Sequence, residues 1–193
     1  MRIFLAGATG AIGRYLVPAL VKAGHEVAGL TRDSDKADGL RDQGATPVVC
    51  DVYDPRLIIE VAQFSPEAVI NEITDLPQHQ AAFPLKLRGL NRARTVGNDA
   101  LIVAAQAAHV RRYIAQSVAF KAPAPVRKAV EHLESATLAF PGVVLRYGYF
   151  FGPGTWYPEG TTHEPRIHVE LAALQTVDLL TAAPGVYELT DPT

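Results

Sequence analysis

Two rhythms of apolar and polar residues alternate along this chain. Short apolar runs at 3–6, 26–30, 47–50, 68–71, 113–116, 143–145 and 186–189 have the length and β-branched content of strands. Between them, apolar positions recur every three or four residues, the spacing of helices packed on one face. The pattern predicts a helix after residue 12, carried by Ile12, Leu16, Leu20 and Val21, and further helices at 34–43, 55–64, 91–108, 126–140 and 168–182. Asp54 is placed to cap the helix at 55–64, with Pro55 in its first turn. Residues 75–89, rich in proline and polar side chains, read as a loop. Strands alternating with helices imply a doubly wound parallel sheet with helices on both faces. Ligands of such sheets bind at the carboxyl ends of the strands, where the strand order reverses.

The junction between the first strand and the first helix carries the most specific signal. Gly7, Gly10 and Gly13 recur every third residue between an apolar run and an amphipathic pattern. Glycine there permits the sharp turn, the close approach of a ligand and the packing of helix on strand. Backbone N–H groups of Thr9, Gly10, Ala11, Ile12 and Gly13 at the helix start favour a phosphate, so a dinucleotide diphosphate is the expected guest. The second strand ends in Thr31-Arg32-Asp33. An acid there suits a ribose 2′-hydroxyl and an arginine a 2′-phosphate, so Arg32 favours NADP, with NAD as the alternative. Asp33 reads either as the ribose acid or as the N-cap of the next helix.

With 193 residues, 48% of them hydrophobic, the chain can bury one substantial core, and 1–193 reads as a single domain. A net charge of −2 without a basic stripe argues against nucleic acid. No apolar run is long enough to cross a bilayer. The first strand begins at once, which is not the pattern of a signal peptide. The single cysteine, Cys50, excludes an internal disulfide framework and fits a reducing, cytoplasmic setting. No histidine or carboxylate cluster has the spacing of a metal site.

Further segments add a resemblance. Gly7-Ala-Thr-Gly10-Ala-Ile-Gly13, Asp51-Val52 after the third strand, and Val69-Ile70-Asn71-Glu72-Ile73-Thr74 occur in this order. Leu145-Arg146-Tyr147-Gly148 leading to Gly152-Pro153-Gly154 follows, and then Ile167-His168-Val169-Glu170. Together they resemble the extended or atypical branch of the short-chain dehydrogenase/reductases, which includes nucleotide-sugar epimerases and dehydratases. The resemblance implies that Asp51 and Val52 meet the adenine, that Ile73 and Thr74 line the cofactor, and that Tyr147 stands beside the nicotinamide. It also implies a small-molecule substrate, and it allows a homodimer through helices 91–108 and 126–140.

Members of that family that reduce ketones use a serine and a Tyr-x-x-x-Lys pair, a tyrosine acid or base with a lysine beside it. Ser117 and Lys128 fall near the expected places for the serine and lysine. Ala124 stands where the tyrosine belongs, and Arg94 replaces the family's helix asparagine. Tyr147 and Tyr149 flank the strand end that faces the nicotinamide, and either is a candidate proton donor. Only residues 155–166 separate the Gly-Pro-Gly and His-Val segments, so the substrate lobe is reduced or missing. The sequence therefore leaves two readings. One is an oxidoreductase or epimerase-like enzyme transferring hydride at a carbinol or carbonyl carbon. The other is an inactive NADP-binding regulatory protein.

Overall fold

Strand β1 (Arg2–Ala6) is buried along nearly its whole length, and its side chains alternate between two cores. Ile3 and Leu5 join one cluster, while Phe4 and Ala6 join the cluster on the opposite face. A strand covered on both sides has no polar face, which is why it reads as an unbroken apolar run. In the computed structural model, residues 1–77 and 79–191 are described.

The elements then follow in order. After β1 come α1 (Gly13–Lys22), β2 (Glu26–Thr31), a 3₁₀ turn at Ser34–Lys36, α2 (Ala37–Asp42), β3 (Thr46–Val49), α3 (Leu57–Phe64) and β4 (Ala68–Asn71). Beyond it lie α4 (Phe83–Arg92), a π-helical turn at Ala93–Gly97, α5 (Asn98–Ala107), β5 (Arg112–Val118), α6 (Ala124–Ala139) and β6 (Val143–Tyr147). The last elements are β7 (Tyr149–Phe151), β8 (Arg166–His168), α7 (Val169–Asp178) and β9 (Gly185–Leu189). Seven strands form one parallel sheet in the order β3-β2-β1-β4-β5-β6-β9, and β7 pairs with β8 in a separate small sheet. Helices α1 and α7 contact each other on one face, and α3, α5 and α6 cover the other. The chain leaves β1 toward β2 on one side and returns to β4 on the other. The crevice between β1 and β4 is thus the switch point where this architecture binds ligands.

The predicted doubly wound sheet is present, and the departures from the predicted elements have local causes. Residues 75–89 are not all loop: a 3₁₀ turn at Gln80–Ala82 leads into α4, with Pro84 in the first turn, where its missing N–H costs nothing. Gln78, within that predicted loop, lies outside the described residues. The helix expected at 91–108 is the second half of a longer rod from Phe83 to Ala107, widened by the π turn. Helix α3 starts at Leu57 rather than 55, and the Asp54 carboxylate accepts the Arg56 N–H at 2.9 Å just ahead of it. Strands β7 and β8 have three residues each, too few for a two-residue period to be legible.

Gly13 shows how tightly α1 is set against β1. A Cβ there would overlap the backbone carbonyls of Gly7 and Ala8. Gly13→Ala is expected to lower stability by about 1–3 kcal/mol or more, because backbone has to move to admit one methyl group. Urea unfolding of the two proteins checks this; matching midpoints would mean the junction is looser than described.

Candidate functional site

The carboxyl ends of the strands surround a cavity of about 1050 Å³. Its floor is the glycine loop. Gly7 turns there with φ +87°, and a Cβ on it would sit 2.7 Å from the Glu72 carbonyl, so only glycine lets β1 turn this close to the end of β4. The Gly10 N–H bonds the Gly7 carbonyl at 2.9 Å and the Arg14 N–H reaches the Gly10 carbonyl at 3.3 Å. Among the described residues, the amides of Ala11, Ile12 and Gly13 have no hydrogen-bond partner. Unpaired N–H groups at a helix start next to a cavity suit a phosphate.

Gly7, Thr9, Gly10 and Ala11 border the cavity, as do Arg32, Asp51, Val52, Ile73, Thr74, Ser117 and Tyr147. The structure therefore gathers most of the predicted site residues at one edge. Ile12 and Gly13 are not on the wall: Ile12 is buried in the core beneath α1, and Gly13 serves the packing of α1. Lys128 lies exposed on α6 and does not border the cavity.

At the β2 end, Arg32 is largely exposed and pairs with Asp75 at 3.1 Å. The Asp33 carboxylate accepts the Asp35 N–H at 3.1 Å as the cap of the 3₁₀ turn, and Asp33 also borders the cavity. Lys36, also on the cavity wall, stands 3.6 Å from Asp33 and adds a second cation there. Asp51 accepts the Tyr53 N–H at 2.9 Å, and the Arg92 guanidinium lies 3.8 Å over the Tyr53 ring. The turn after β4 is fixed from below: Asn71 accepts the Ile73 N–H at 3.1 Å and donates to Asn98 at 2.9 Å.

Ser117 is buried and donates to Glu134 at 2.5 Å, and Arg146 holds the same carboxylate through two bonds of 2.9 and 2.6 Å. Burial works to raise the Glu134 pKa, but the bonds from Arg146 and Ser117 outweigh it and hold the carboxyl below its usual range. With its proton committed, Ser117 offers the cavity an acceptor oxygen rather than a donor.

Glu72 carries a chemical role that sequence reading left unassigned. Its carboxyl is buried at the end of β4 with Oε2 unpartnered, and burial pushes its pKa to about 8, only partly opposed by the Tyr147 hydroxyl. Tyr147 Oη lies 3.1 Å from Glu72 Oε1 and 2.7 Å from Thr176 Oγ1, while Thr176 donates to the Ala172 carbonyl at 2.7 Å. Tyr147 has one proton to give. Were Glu72 ionised, Tyr147 would donate to it and the Tyr147–Thr176 contact would lack a proton. With Glu72 protonated, each oxygen in turn donates to the next and all contacts are satisfied. Burial and the neighbouring Glu72 also raise the Tyr147 pKa well above that of a free phenol. The legible signal was a lone acid inside the apolar run 68–73.

Over the cavity, Trp156 Nε1 donates to the Pro77 carbonyl at 2.8 Å and Gln80 bonds the Tyr157 hydroxyl at 3.0 Å. Phe120 and Tyr149 stack at 3.9 Å on the far wall. No group of His, Cys, Asp or Glu among the described residues has the arrangement of a metal site, and no described helix is long and apolar enough to cross a membrane.

Comparison with known proteins agrees with this geometry. A family model described as NAD(P)H-binding matches residues 7–139. A 3-diazoavenalumate denitrifying reductase from a Streptomyces species is 36% identical over 182 residues, covering 81% of this chain and 59% of the reductase. The chain thus spans about three fifths of that relative's length. The UDP-glucose 4-epimerase of Thermotoga maritima, solved with UDP-glucose, superposes with a TM-score of 0.81 at 15% identity over 98% of this chain and 77% of the epimerase. That of Thermus thermophilus, in complex with NAD, gives 0.80 at 17% identity over 100% of this chain and 78% of its own. These two likenesses concern the fold.

Stability against pH tests the protonation of Glu72. Its pKa is raised on folding from the ordinary 4.5 to about 8, so the native state holds the proton more tightly than the unfolded chain. Stability is then highest below about pH 4.5 through this group and is lost as pH rises toward 8, by an amount on the order of a few kcal/mol. Glu72→Gln, which keeps a donor toward Tyr147, is expected to remove that slope and to be the more stable protein at pH 9. Urea melts of both at pH 5, 7 and 9 measure it, and parallel profiles would mean that Glu72 is ionised throughout.

Proposed function

The chain belongs to the NAD(P)H-binding family, and from that premise we propose that it is an NADP(H)-dependent reductase of small molecules in a reducing, cytoplasmic setting. The observation that carries this reading is the continuity of the cavity. It runs from free amides at the start of α1, past Arg32 and Lys36 at the β2 end, to Ser117 and Tyr147 at the ends of β5 and β6. That path fits an extended dinucleotide whose diphosphate sits on the glycine loop. Arg32 and Lys36 then face the adenosine ribose, and with Asp33 engaged as a cap, the two cations support a 2′-phosphate over a bare hydroxyl.

When bound, the nicotinamide supplies a hydride to a carbonyl or similarly electrophilic carbon. The chain's own residues have to position that carbon, exclude water and hold a proton for the oxygen. Trp156 and Tyr157, tied to Pro77 and Gln80, roof the cavity. The proton-holding element is the Glu72–Tyr147 pair, which takes the place of the absent Tyr-x-x-x-Lys arrangement. Because only residues 152–165 connect β7 to β8, the described residues contain no large substrate lobe, which supports a small substrate rather than a nucleotide sugar. The exposed Val96, Val103 and Leu138 support a homodimer through the helices at 91–108 and 126–140.

Trp156 is the only tryptophan and borders the cavity, so its fluorescence reports nucleotide binding. NADP+ is expected to quench it more tightly than NAD+. Arg32→Ala should cost NADP+ about 1.5–3 kcal/mol, roughly tenfold to a hundredfold, with little change for NAD+. Equal loss for both nucleotides would place Arg32 elsewhere than the 2′-phosphate.

Gly10→Asp sets a carboxylate against the diphosphate and is expected to abolish quenching by either nucleotide. Oxidation of NADPH, followed at 340 nm with a panel of aldehydes, ketones and quinones, tests catalysis. Tight nucleotide binding with no turnover of any of them would favour a regulatory nucleotide-binding protein, the reading to which Ala124 and the outward Lys128 lend weight.

A further inference from the structure

Arg94, the residue that departs from the family's asparagine, occupies an unusual place. It sits in the π turn between α4 and α5, is only 7% exposed, and borders the cavity. Among the described residues it has no ion pair, and its buried Nη1 has no hydrogen-bond partner. The carboxylates on the cavity wall are engaged elsewhere: Asp75 with Arg32, Asp33 as a cap, Asp51 with the Tyr53 amide, and Glu72 with Tyr147. Glu134 is held by Arg146 and Ser117. Burial draws the Arg94 pKa down to about 10, which still leaves the guanidinium charged at neutral pH.

A buried charge without a counter-ion destabilises a fold, and replacing it with an apolar side chain usually helps. Its presence at a cavity wall is accounted for if the missing partner arrives from solution. The neighbouring surface says what kind of partner. Leu90, Ala122, Val126 and Val130 form an apolar cluster between α4 and α6, and all four line the same cavity as Arg94. π turns recur at functional sites because the extra residue redirects a side chain. A planar fork of donors matches a carboxylate through two parallel bonds.

We infer that Arg94 is a substrate-anchoring residue, and that the substrate of this protein carries a carboxylate on an apolar body that lies against the α4–α6 wall. This deepens the reductase reading and rests on it for the word substrate. Arg94 belongs to the π turn between α4 and α5, whereas Arg32 follows β2, so the two cations stand on different elements of the cavity wall.

The test uses matched pairs of aromatic and aliphatic carboxylates and their primary amides, cinnamate with cinnamamide and hexanoate with hexanamide among them. Each is titrated by calorimetry into the protein saturated with NADP+ and into the protein alone. At least one carboxylate is expected to bind tenfold or more tightly than its amide. Arg94→Met should erase that preference, while Arg94→Lys keeps part of it. Arg94→Met should also raise the melting temperature, since the unpaired charge is gone, and leave the NADP+ affinity within twofold. The inference is overturned if no carboxylate outbinds its amide, if the preference survives in Arg94→Met, or if that variant melts lower. A loss of NADP+ affinity in Arg94→Met would assign the residue to the nucleotide instead. Failure of the cofactor reading looks different: NADP+ does not bind the wild-type protein, while the carboxylate preference is present without it.

Discussion

The fit of α1 over the end of β1 governs the rest of the molecule. A helix can begin this close to a strand only if the turn has no side chains in it, and the overlap that a Cβ at Gly7 or Gly13 would produce shows how little room there is. Two consequences follow from that closeness. Among the described residues, the amides of Ala11, Ile12 and Gly13, leading into α1, are left without partners, and they sit at the edge of the sheet where β1 and β4 part. Every other feature of the cavity is arranged around that edge, because all seven parallel strands end there.

The charges near this edge show three different answers to burial. Glu134 is ionised because Arg146 grips it with two bonds and Ser117 adds a third. Glu72 has no cation beside it, so it keeps its proton and becomes the first donor in a chain that runs through Tyr147 and Thr176. Arg94 can do neither: a guanidinium gives up its proton too reluctantly, and among the described residues it has no ion pair and its Nη1 has no hydrogen-bond partner. The same desolvation cost thus yields a paired ion, a neutral acid and an unpaired buried charge. A site built this way differs from the Tyr-x-x-x-Lys arrangement that the sequence resemblance implies, since Ala124 stands where that tyrosine belongs.

Much of the fold was legible from the chain because its signals are local. The run at 3–6, the three glycines and the helical spacing of Ile12, Leu16 and Leu20 depend on neighbours only a few residues away. The glycine turn was legible for the same reason. The helix at Phe83–Arg92 was not, since its apolar positions are few and prolines and polar residues surround it. What makes it helical is its packing on α6 through Leu90 and Val126. The three-residue strands β7 and β8 exist only because they meet each other.

The sequence by itself determined the order of strands and helices, the parallel sheet and the glycine turn, since each follows from periodicity and from which backbone angles a residue tolerates. Only the tertiary structure decided which charges are free. Serine, glutamate and arginine look alike wherever they stand in a string of letters. Their chemistry depends on who is within 3 Å and on how much water remains. Those facts set Ser117 against Glu134, turned Lys128 to solvent, left Glu72 holding a proton and placed Arg94 alone at the cavity wall.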